Sequence, residues 1–147
     1  MENNSLGAGV TAPNLLSICI DNNDDTNLKA RVYHCYRKDP VELNNVVQII
    51  HYMEEFFDEI SFPQSSVQMR AFVDKKDRRT IAHGEKQMDQ KALMEFRGNC
   101  ATFLVHVQYR QNATWQGKAV WVEQEKSVEF RSALEFVICI DNALRMI

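Results

Sequence analysis

Leu16-Ser17-Ile18-Cys19-Ile20 begins an apolar pattern that returns 87 residues later as Phe103-Leu104-Val105-His106-Val107. The stretches 16–57 and 103–144 align without a gap, and apolar positions coincide along most of their length. A repeated hydrophobic pattern of this kind is stronger evidence for the architecture than any single motif. Two identities occur in the alignment, Val41 with Val128 and Glu42 with Glu129. The likeness therefore lies in the hydrophobic pattern, and two unrelated units of similar pattern are the alternative interpretation.

The first unit predicts two strands followed by a helix. Apolar and polar residues alternate over Leu15–Ile20, and the polar run 21–27 is typical of a hairpin turn. A second strand is predicted over Leu28–Tyr36 and is expected to end at Arg37-Lys38-Asp39-Pro40. Asn45 is the predicted N-cap of the helix that follows, whose apolar residues recur at helical spacing.

The second unit predicts the same order of elements. Phe103–Tyr109 alternates as a strand, Arg110–Thr114 forms a loop, and Trp115–Glu123 returns as a second strand. Ser132-Ala133-Leu134-Glu135 is a capping box, and it begins a helix that is expected to end at about Leu144. Two hairpins, each with a helix that has one apolar face, satisfy each other if the strands join in one antiparallel sheet. The sequence thus predicts an α+β fold with both helices across one face of the sheet.

The chain is expected to form one domain over residues 14–147, after a flexible N-terminal tail at 1–13. The pseudo-repeats span about 15–57 and 102–144, with a connector at 58–101. An additional strand is predicted over Val67–Val73 in this connector. A short helix is predicted over Glu85–Arg97, with a strand that continues into Ala101 as the rival interpretation.

The sheet face opposite the helices is expected to be half polar. It would carry His34, His106, Gln108 and Trp121, with Arg31 or Lys118 depending on register. A face of this kind is either exposed to solvent or a contact surface. Four residues on it or beside it are therefore the predicted protein interface: His34, Tyr36, His106 and Trp121.

Composition limits the function classes. The chain has 147 residues, 45% hydrophobic and 25% charged, as one globular domain has. A net charge of -3 argues against a nucleic-acid coat protein or a membrane-surface protein.

The N-terminal residues lack a signal-peptide pattern, and no apolar run approaches the ~20 residues of a membrane span, so a cytoplasmic location is expected. The four cysteines show no C-x-x-C spacing and are expected to be reduced and structural.

The loop between the strands of the second unit is the strongest candidate for a binding site. A guanidinium, amides, a hydroxyl and an indole follow one another there and could clamp a nucleotide or a nucleotide-derived signal. These residues are Arg110, Gln111, Asn112, Thr114, Trp115 and Gln116. The alternative is a structural hairpin in which Trp115 packs over the sheet edge. We therefore expect Arg110→Ala to spare stability and Trp115→Ala to reduce it.

No catalytic, metal or cofactor signature is present in the sequence. The four histidines are widely spaced and do not form H-E-x-x-H, and no cysteine pair has ligand spacing. His34 and Cys35 are neighbours on a predicted strand, so they point to opposite faces and cannot act as a nucleophile and base pair. The protein is expected not to be an enzyme, and to hold neither a metal ion nor a cofactor.

One pattern resembles a known group of proteins. The residues 109–117, Tyr-Arg-Gln-Asn-Ala-Thr-Trp-Gln-Gly, followed by Phe130-Arg131-Ser132-Ala133-Leu134-Glu135, are similar to a pattern in short uncharacterised bacterial proteins. Arg31-Val32-Tyr33-His34 and residues 53–58 resemble the first half of the same group. The resemblance implies a bacterial or phage origin and no particular activity.

The sequence best fits a small non-enzymatic interaction protein that binds a protein partner and self-associates. Tyrosine and tryptophan side chains on strands and the open edges of the predicted sheet favour contacts between chains. A protein that binds a nucleotide through the loop Arg110–Gln116 is the alternative. Nucleic acid is an unlikely partner on charge grounds.

Overall fold

The computed structural model describes residues 13–24, 27–63, 86–110 and 114–147. These ranges contain one antiparallel sheet with strand order β3-β2-β1-β4-β5-β6. Its strands are β1 (Leu16–Asp24), β2 (Asn27–His34), β3 (Arg37–Leu43), β4 (Ala101–Tyr109), β5 (Gln116–Trp121) and β6 (Lys126–Phe130). The α-helices are α1 (Val46–Ile60), α2 (Gln90–Leu93) and α3 (Ala133–Arg145), and a short 3-10 helix spans Val122–Gln124. The predicted α+β class is confirmed.

The main core lies between one face of the sheet and the helices α1 and α3. Inward residues of β1 such as Ile18 meet Met53 and Phe57 of α1 and Phe136 of α3 in one buried cluster. Both helices begin at capped positions that the sequence predicted. The side chain of Asn45 accepts a hydrogen bond from the Gln48 N–H, and Ser132 accepts one from the Glu135 N–H. These caps satisfy helical N–H groups that would otherwise lack partners.

The strand registers recur at the same offset of 87 residues as the hydrophobic pattern. Ile18 lies opposite Val32 in the β1–β2 pair, and Val105 lies opposite Ala119 in the β4–β5 pair. Val32 then lies opposite Val41, as Ala119 does opposite Val128. We call β1, β2, β3 and α1 the first half and β4, β5, β6 and α3 the second half. Two positions that lie 87 residues apart are termed equivalent, and a duplicated origin of the halves stays a prediction.

Two of the six strands were missed from the sequence. Residues 37–43, expected to break the sheet at Pro40, form β3, which pairs with β2. Residues 126–130 form β6, which pairs with β5. Both lie at the edges of the sheet, where one side of a strand needs no partner and a proline or a charged run is tolerated. Each half therefore consists of three strands and a helix, and not two strands and a helix.

The opposite face of the sheet is covered at its centre, contrary to expectation. Leu93 of α2 joins a second buried cluster with Leu15, Cys19 and Leu104 on that face. The ring of Phe96 stacks on Tyr33 with centroids 3.8 Å apart. The predicted helix 85–97 is correct in place but shorter, because only 90–93 is helical in the described residues. The segment after it closes the face as a loop.

Some predictions fall outside the described residues. The expected strand 67–73 and the tail up to residue 12 belong to the ranges 64–85 and 1–12, of which nothing is described. Of the helices in the described ranges, none combines the length and apolar character that crossing a membrane requires.

Candidate functional site

Arg110 is buried beneath the end of α1 and does not face solvent. Its residue is 2% exposed. The guanidinium donates from Nε to the carbonyl oxygen of Pro63 at 2.6 Å, and from Nη1 to Glu54 Oε2 at 3.1 Å and Asp58 Oδ1 at 2.9 Å. Arg110 therefore joins β4 to α1 and to the chain that leaves it. The expectation that Arg110→Ala spares stability does not fit this geometry.

Trp115 packs into the main core beside the same carboxylate. Its indole Nε1 donates to Glu54 Oε1 at 2.8 Å, and its ring meets Phe57 at a centroid distance of 5.6 Å, edge to face. This is the structural arrangement that the sequence left open for Trp115. The contacts of Arg110 and Trp115 are thus made within the chain.

The remaining residues of the predicted nucleotide site are not all described. Gln111 and Asn112 lie outside the described residues, whereas Thr114 and Gln116 are partly buried at the start of β5. The site residues whose surroundings the structure describes thus serve the fold. No observation on the described residues of this loop favours nucleotide binding, which stays a prediction.

His34 lies on the helix face, where the sequence did not place it. Its ring stacks on Phe56 of α1 with centroids 4.0 Å apart. The backbone N–H of Tyr36 donates to Nδ1 at 3.2 Å, so the ring proton belongs on Nε2, which lies 2.7 Å from the Tyr52 hydroxyl. Burial lowers the pKa of His34 to about 4 and raises that of Tyr52 to about 12. His34 is a neutral core histidine.

The other predicted interface residues divide between the two faces. Trp121 also lies on the helix face, with its ring 5.9 Å from that of Phe103, and Tyr36 packs against the main core. His106 lies on the opposite face, as predicted, and burial lowers its pKa. The error for His34 and Trp121 is one of register, because a strand shifted by one residue exchanges its faces.

An open groove of about 330 Å³ separates β6 from the C-terminal part of α3. Its floor consists of sheet residues, and its walls are residues of β6 and α3. The lining residues are Phe103, Ala119, Trp121, Lys126, Ser127, Val128, Cys139, Ile140, Asn142, Ala143 and Met146. The side chain of Val128 is 40% exposed at the β6 side of this groove.

The groove exists because the second half has small residues where the first half has rings. Phe56 and Tyr52 of α1 are equivalent to Ala143 and Cys139 of α3. In the first half, both rings lie against His34, and the space is filled. In the second half, Trp121 stands in the place of His34. The aligned sequences contain this difference, but a comparison of apolar character alone overlooks it, since Phe and Ala both count as apolar.

The two edges of the sheet differ in the same way. β3 carries Pro40, which has no N–H to offer, and its register with β2 shifts between Val32 and His34. At the equivalent position β6 has Ser127, and its register with β5 is regular through Lys126. Lys126 to Glu129 are all exposed, and within the described part of the chain β6 pairs with β5 alone. Within the described residues, β6 thus lies beside the groove as an edge that has charge, from Lys126 and Glu129, but neither a proline nor an irregular register.

Metal ligation and thiol chemistry find little support in the described residues. Within those ranges no group of three or more histidine, cysteine or acidic side chains could hold a metal ion. Cys19 and Cys35 are buried, and burial raises the pKa of both thiols, as it does that of Cys139. A raised pKa keeps a thiol protonated and weakly nucleophilic at neutral pH.

Comparisons with known proteins do not identify a relative. No family model, curated protein or solved structure matches this chain. The resemblance to short bacterial proteins therefore stays a prediction.

Proposed function

We propose that this protein is an interaction protein that binds an extended segment of a partner protein along β6, and that β6 also mediates its self-association. The observation that carries the proposal is the exposed, regular edge of β6 beside the groove. An edge strand offers a row of backbone donors and acceptors to an added strand, and neighbouring pockets select its side chains.

The first half supports this interpretation by contrast. Natural sheets protect their edges with proline, charge and irregular pairing. β3 has all three, with Pro40 following Arg37-Lys38-Asp39 and a register shift against β2. β6 shares the charge, through Lys126 and Glu129, but it has neither a proline nor a register shift at the equivalent positions. Exposed edge strands promote aggregation, so natural proteins usually protect them. An edge strand that has a regular register in one half, where the other half has a proline and a register shift, is typical of a strand that pairs with a partner.

Self-association through β6 would pair two copies of this strand antiparallel, so that the sheets of two chains become continuous. Residues directly opposite in an antiparallel pair share a face of the sheet. A two-fold axis through Val128 then places Val128 opposite its own copy, and Ser127 opposite Glu129. A pair of five-residue strands buries little area, and small interfaces are weak. We therefore propose the partner segment as the main occupant and the second copy as the weaker one.

The proposal assigns no catalytic step. Its support is that His34, Arg110 and Trp115 are used in packing and in hydrogen bonds within the chain. The exposed edge of β6 and the groove offer backbone groups and apolar surface, which bind and do not react.

The test selects binding peptides from a random library and maps them on the protein. We expect selected peptides to slow amide hydrogen exchange in β6. Val128→Lys is expected to weaken them about tenfold or more, because a charge on an edge strand opposes pairing. Val41→Lys is the matched control, since Val41 holds the equivalent position in β3. Exchange protection in β3, equal effects of the two variants, or no peptide above background would each refute the proposal.

Sedimentation equilibrium tests the second part of the proposal. Wild-type protein is expected to show a concentration-dependent dimer, and Val128→Lys to shift it towards monomer. A strictly monomeric wild type at millimolar concentration would remove self-association and leave partner binding to the peptide experiment.

A further inference from the structure

The first half of the chain indicates which kind of side chain fits the groove. In the first half, the equivalent space holds the rings of Phe56 and Tyr52, which pack on His34. Ala143 and Cys139 leave it open in the second half, although the surrounding strands keep the same register. A volume of about 330 Å³ accommodates an aromatic ring, because apolar cavities of roughly 150 Å³ already bind benzene. The groove is therefore suited to an aromatic occupant.

A hydrogen bond is missing at the same place. The ring of His34 is bonded through Nε2 to the Tyr52 hydroxyl at 2.7 Å. Trp121 replaces His34, and its Nε1 is buried with no hydrogen-bond partner among the described residues. Cys139, at the position of Tyr52, brings no hydroxyl. A buried donor without a partner destabilises a protein. Because Trp121 lines the groove, an occupant whose oxygen acceptor reaches Nε1 gains a hydrogen bond that the described residues do not supply.

Charge specifies a second feature of the occupant. Lys126 is the one charged residue among the described residues that line the groove. It shares a face with Val128, two residues away on β6. In an antiparallel added strand, the residue opposite Val128 precedes the residue opposite Lys126 by two positions. A carboxylate opposite Lys126 makes a favourable cross-strand pair.

We infer that the groove binds a tyrosine side chain of the partner segment, and that this tyrosine is followed two residues later by an aspartate or glutamate. The inference rests on the proposed strand addition at β6. The ring takes the place that Phe56 and Tyr52 fill in the first half, its hydroxyl accepts from Trp121 Nε1, and the acid pairs with Lys126.

Synthetic peptides test the sequence preference. The probe is Thr-Val-Tyr-Thr-Glu-Val-Thr with blocked ends, measured by titration calorimetry. Replacing its tyrosine with alanine is expected to weaken binding about tenfold, since aromatic anchors in pockets dominate such contacts. Replacing the tyrosine with phenylalanine, or the glutamate with lysine, is expected to weaken it about threefold to tenfold. Equal affinity for all four peptides would overturn the inference and leave strand addition intact.

A small probe tests the groove without strand addition. We expect 4-methylphenol, the side-chain analogue of tyrosine, to bind with a Kd on the order of 1 mM and to shift the indole resonance of Trp121. Toluene has no acceptor and is expected to bind more weakly. Failure of 4-methylphenol to shift that resonance would overturn the inference, even if peptides bind β6.

A filled groove is the decisive variant. Ala143→Phe restores the residue of the first half, and Ala143→Leu serves in its place if that variant does not fold. Either is expected to abolish 4-methylphenol binding and the preference for tyrosine, while Val128→Lys weakens every peptide alike. Leu134→Phe places a phenyl ring on the exposed side of α3, outside the groove, and is expected to change neither. A tyrosine preference that survives in the filled variant would refute the assignment to the groove.

Discussion

Removal of the Arg110 guanidinium is the sharpest test of the packing between the two halves. Its head group bonds to Glu54, Asp58 and the carbonyl oxygen of Pro63, and lies 5.5 Å from the ring centre of Phe57. Arg110→Ala deletes all of these contacts at once. It leaves Trp115 as a donor to Glu54, so one bond to that carboxylate is kept.

The expected loss of stability is about 2–3 kcal/mol. Breaking a fully buried ion pair by removing one partner costs about 3–5 kcal/mol, because the other charge is left without compensation. Here the side chains of Glu54 and Asp58 are 19% and 31% exposed, so water partly restores their solvation and lowers the penalty. Trp115→Ala is expected to cost more, about 3–5 kcal/mol, because it opens a cavity in the main core.

Urea unfolding at pH 7 measures this loss. Arg131→Ala is the control, since Arg131 pairs with Glu135 on the surface at 3.8 Å and such pairs contribute less than about 1 kcal/mol. Glu54→Gln and the double variant Arg110→Ala with Glu54→Gln complete a thermodynamic cycle. We expect the double variant to lose less than the sum of the single variants, because the two groups interact. An Arg110→Ala midpoint equal to that of the control would show that the buried pair does not form.

Three further predictions concern single residues. Gly117→Ala is expected to lower the free energy of unfolding by about 1–3 kcal/mol, because a Cβ there would clash with the His106 carbonyl oxygen; an unchanged urea midpoint would argue against this close strand contact. The unfolded chain takes up a proton at His34 below about pH 6.5, whereas the folded protein does so only near pH 4, so the free energy of unfolding should fall by up to about 3 kcal/mol between these values. His34→Gln should reduce that slope in urea titrations, and an equal slope in both proteins would contradict the neutral core histidine. Ser132→Ala should cost about 1 kcal/mol through loss of the α3 cap, seen as a lower thermal midpoint, and full recovery of that midpoint by Asp at this position would support the cap.

The sequence predicted the centre of the sheet better than its edges. Inner strands such as β1 and β4 are buried on both faces over most of their length, so they stand out in the sequence as mostly apolar runs. β6 has four consecutive exposed residues, and β3 contains a proline within a charged run. An edge strand forms backbone hydrogen bonds with one neighbouring strand. Backbone hydrogen bonds do not depend on side-chain polarity, so the hydrophobic pattern of the sequence does not indicate them. That is why the described residues add two edge strands to the four that the two predicted hairpins supply.

The internal contacts of Arg110 and Trp115 were not predictable from the sequence for a related reason. The residue types at Arg110 and Trp115 suit both a ligand and an internal contact, and the sequence does not show that α1 returns to them with Glu54 and Asp58. Such pairing joins residues more than fifty positions apart. The groove could have been predicted from the sequence, however, because Ala143 aligns with Phe56 when the two halves are compared. Residue volume at equivalent positions carries information that hydrophobicity alone does not.

The two halves differ at two neighbouring features, the outer strand of the sheet and the space beneath the helix. β1 and β4 pair at the centre of the sheet, and the strands outside them are paired in equivalent registers in the two halves. If the halves were alike, the two edge strands and the two contacts between helix and sheet would also be similar. In the first half, Pro40 protects the edge and Phe56 fills the space beneath the helix. In the second half, the edge is regular and Ala143 leaves the space open. A regular exposed edge favours aggregation, and an open space loses packing. Their occurrence together, at neighbouring positions of one half, fits the proposed binding of an extended segment.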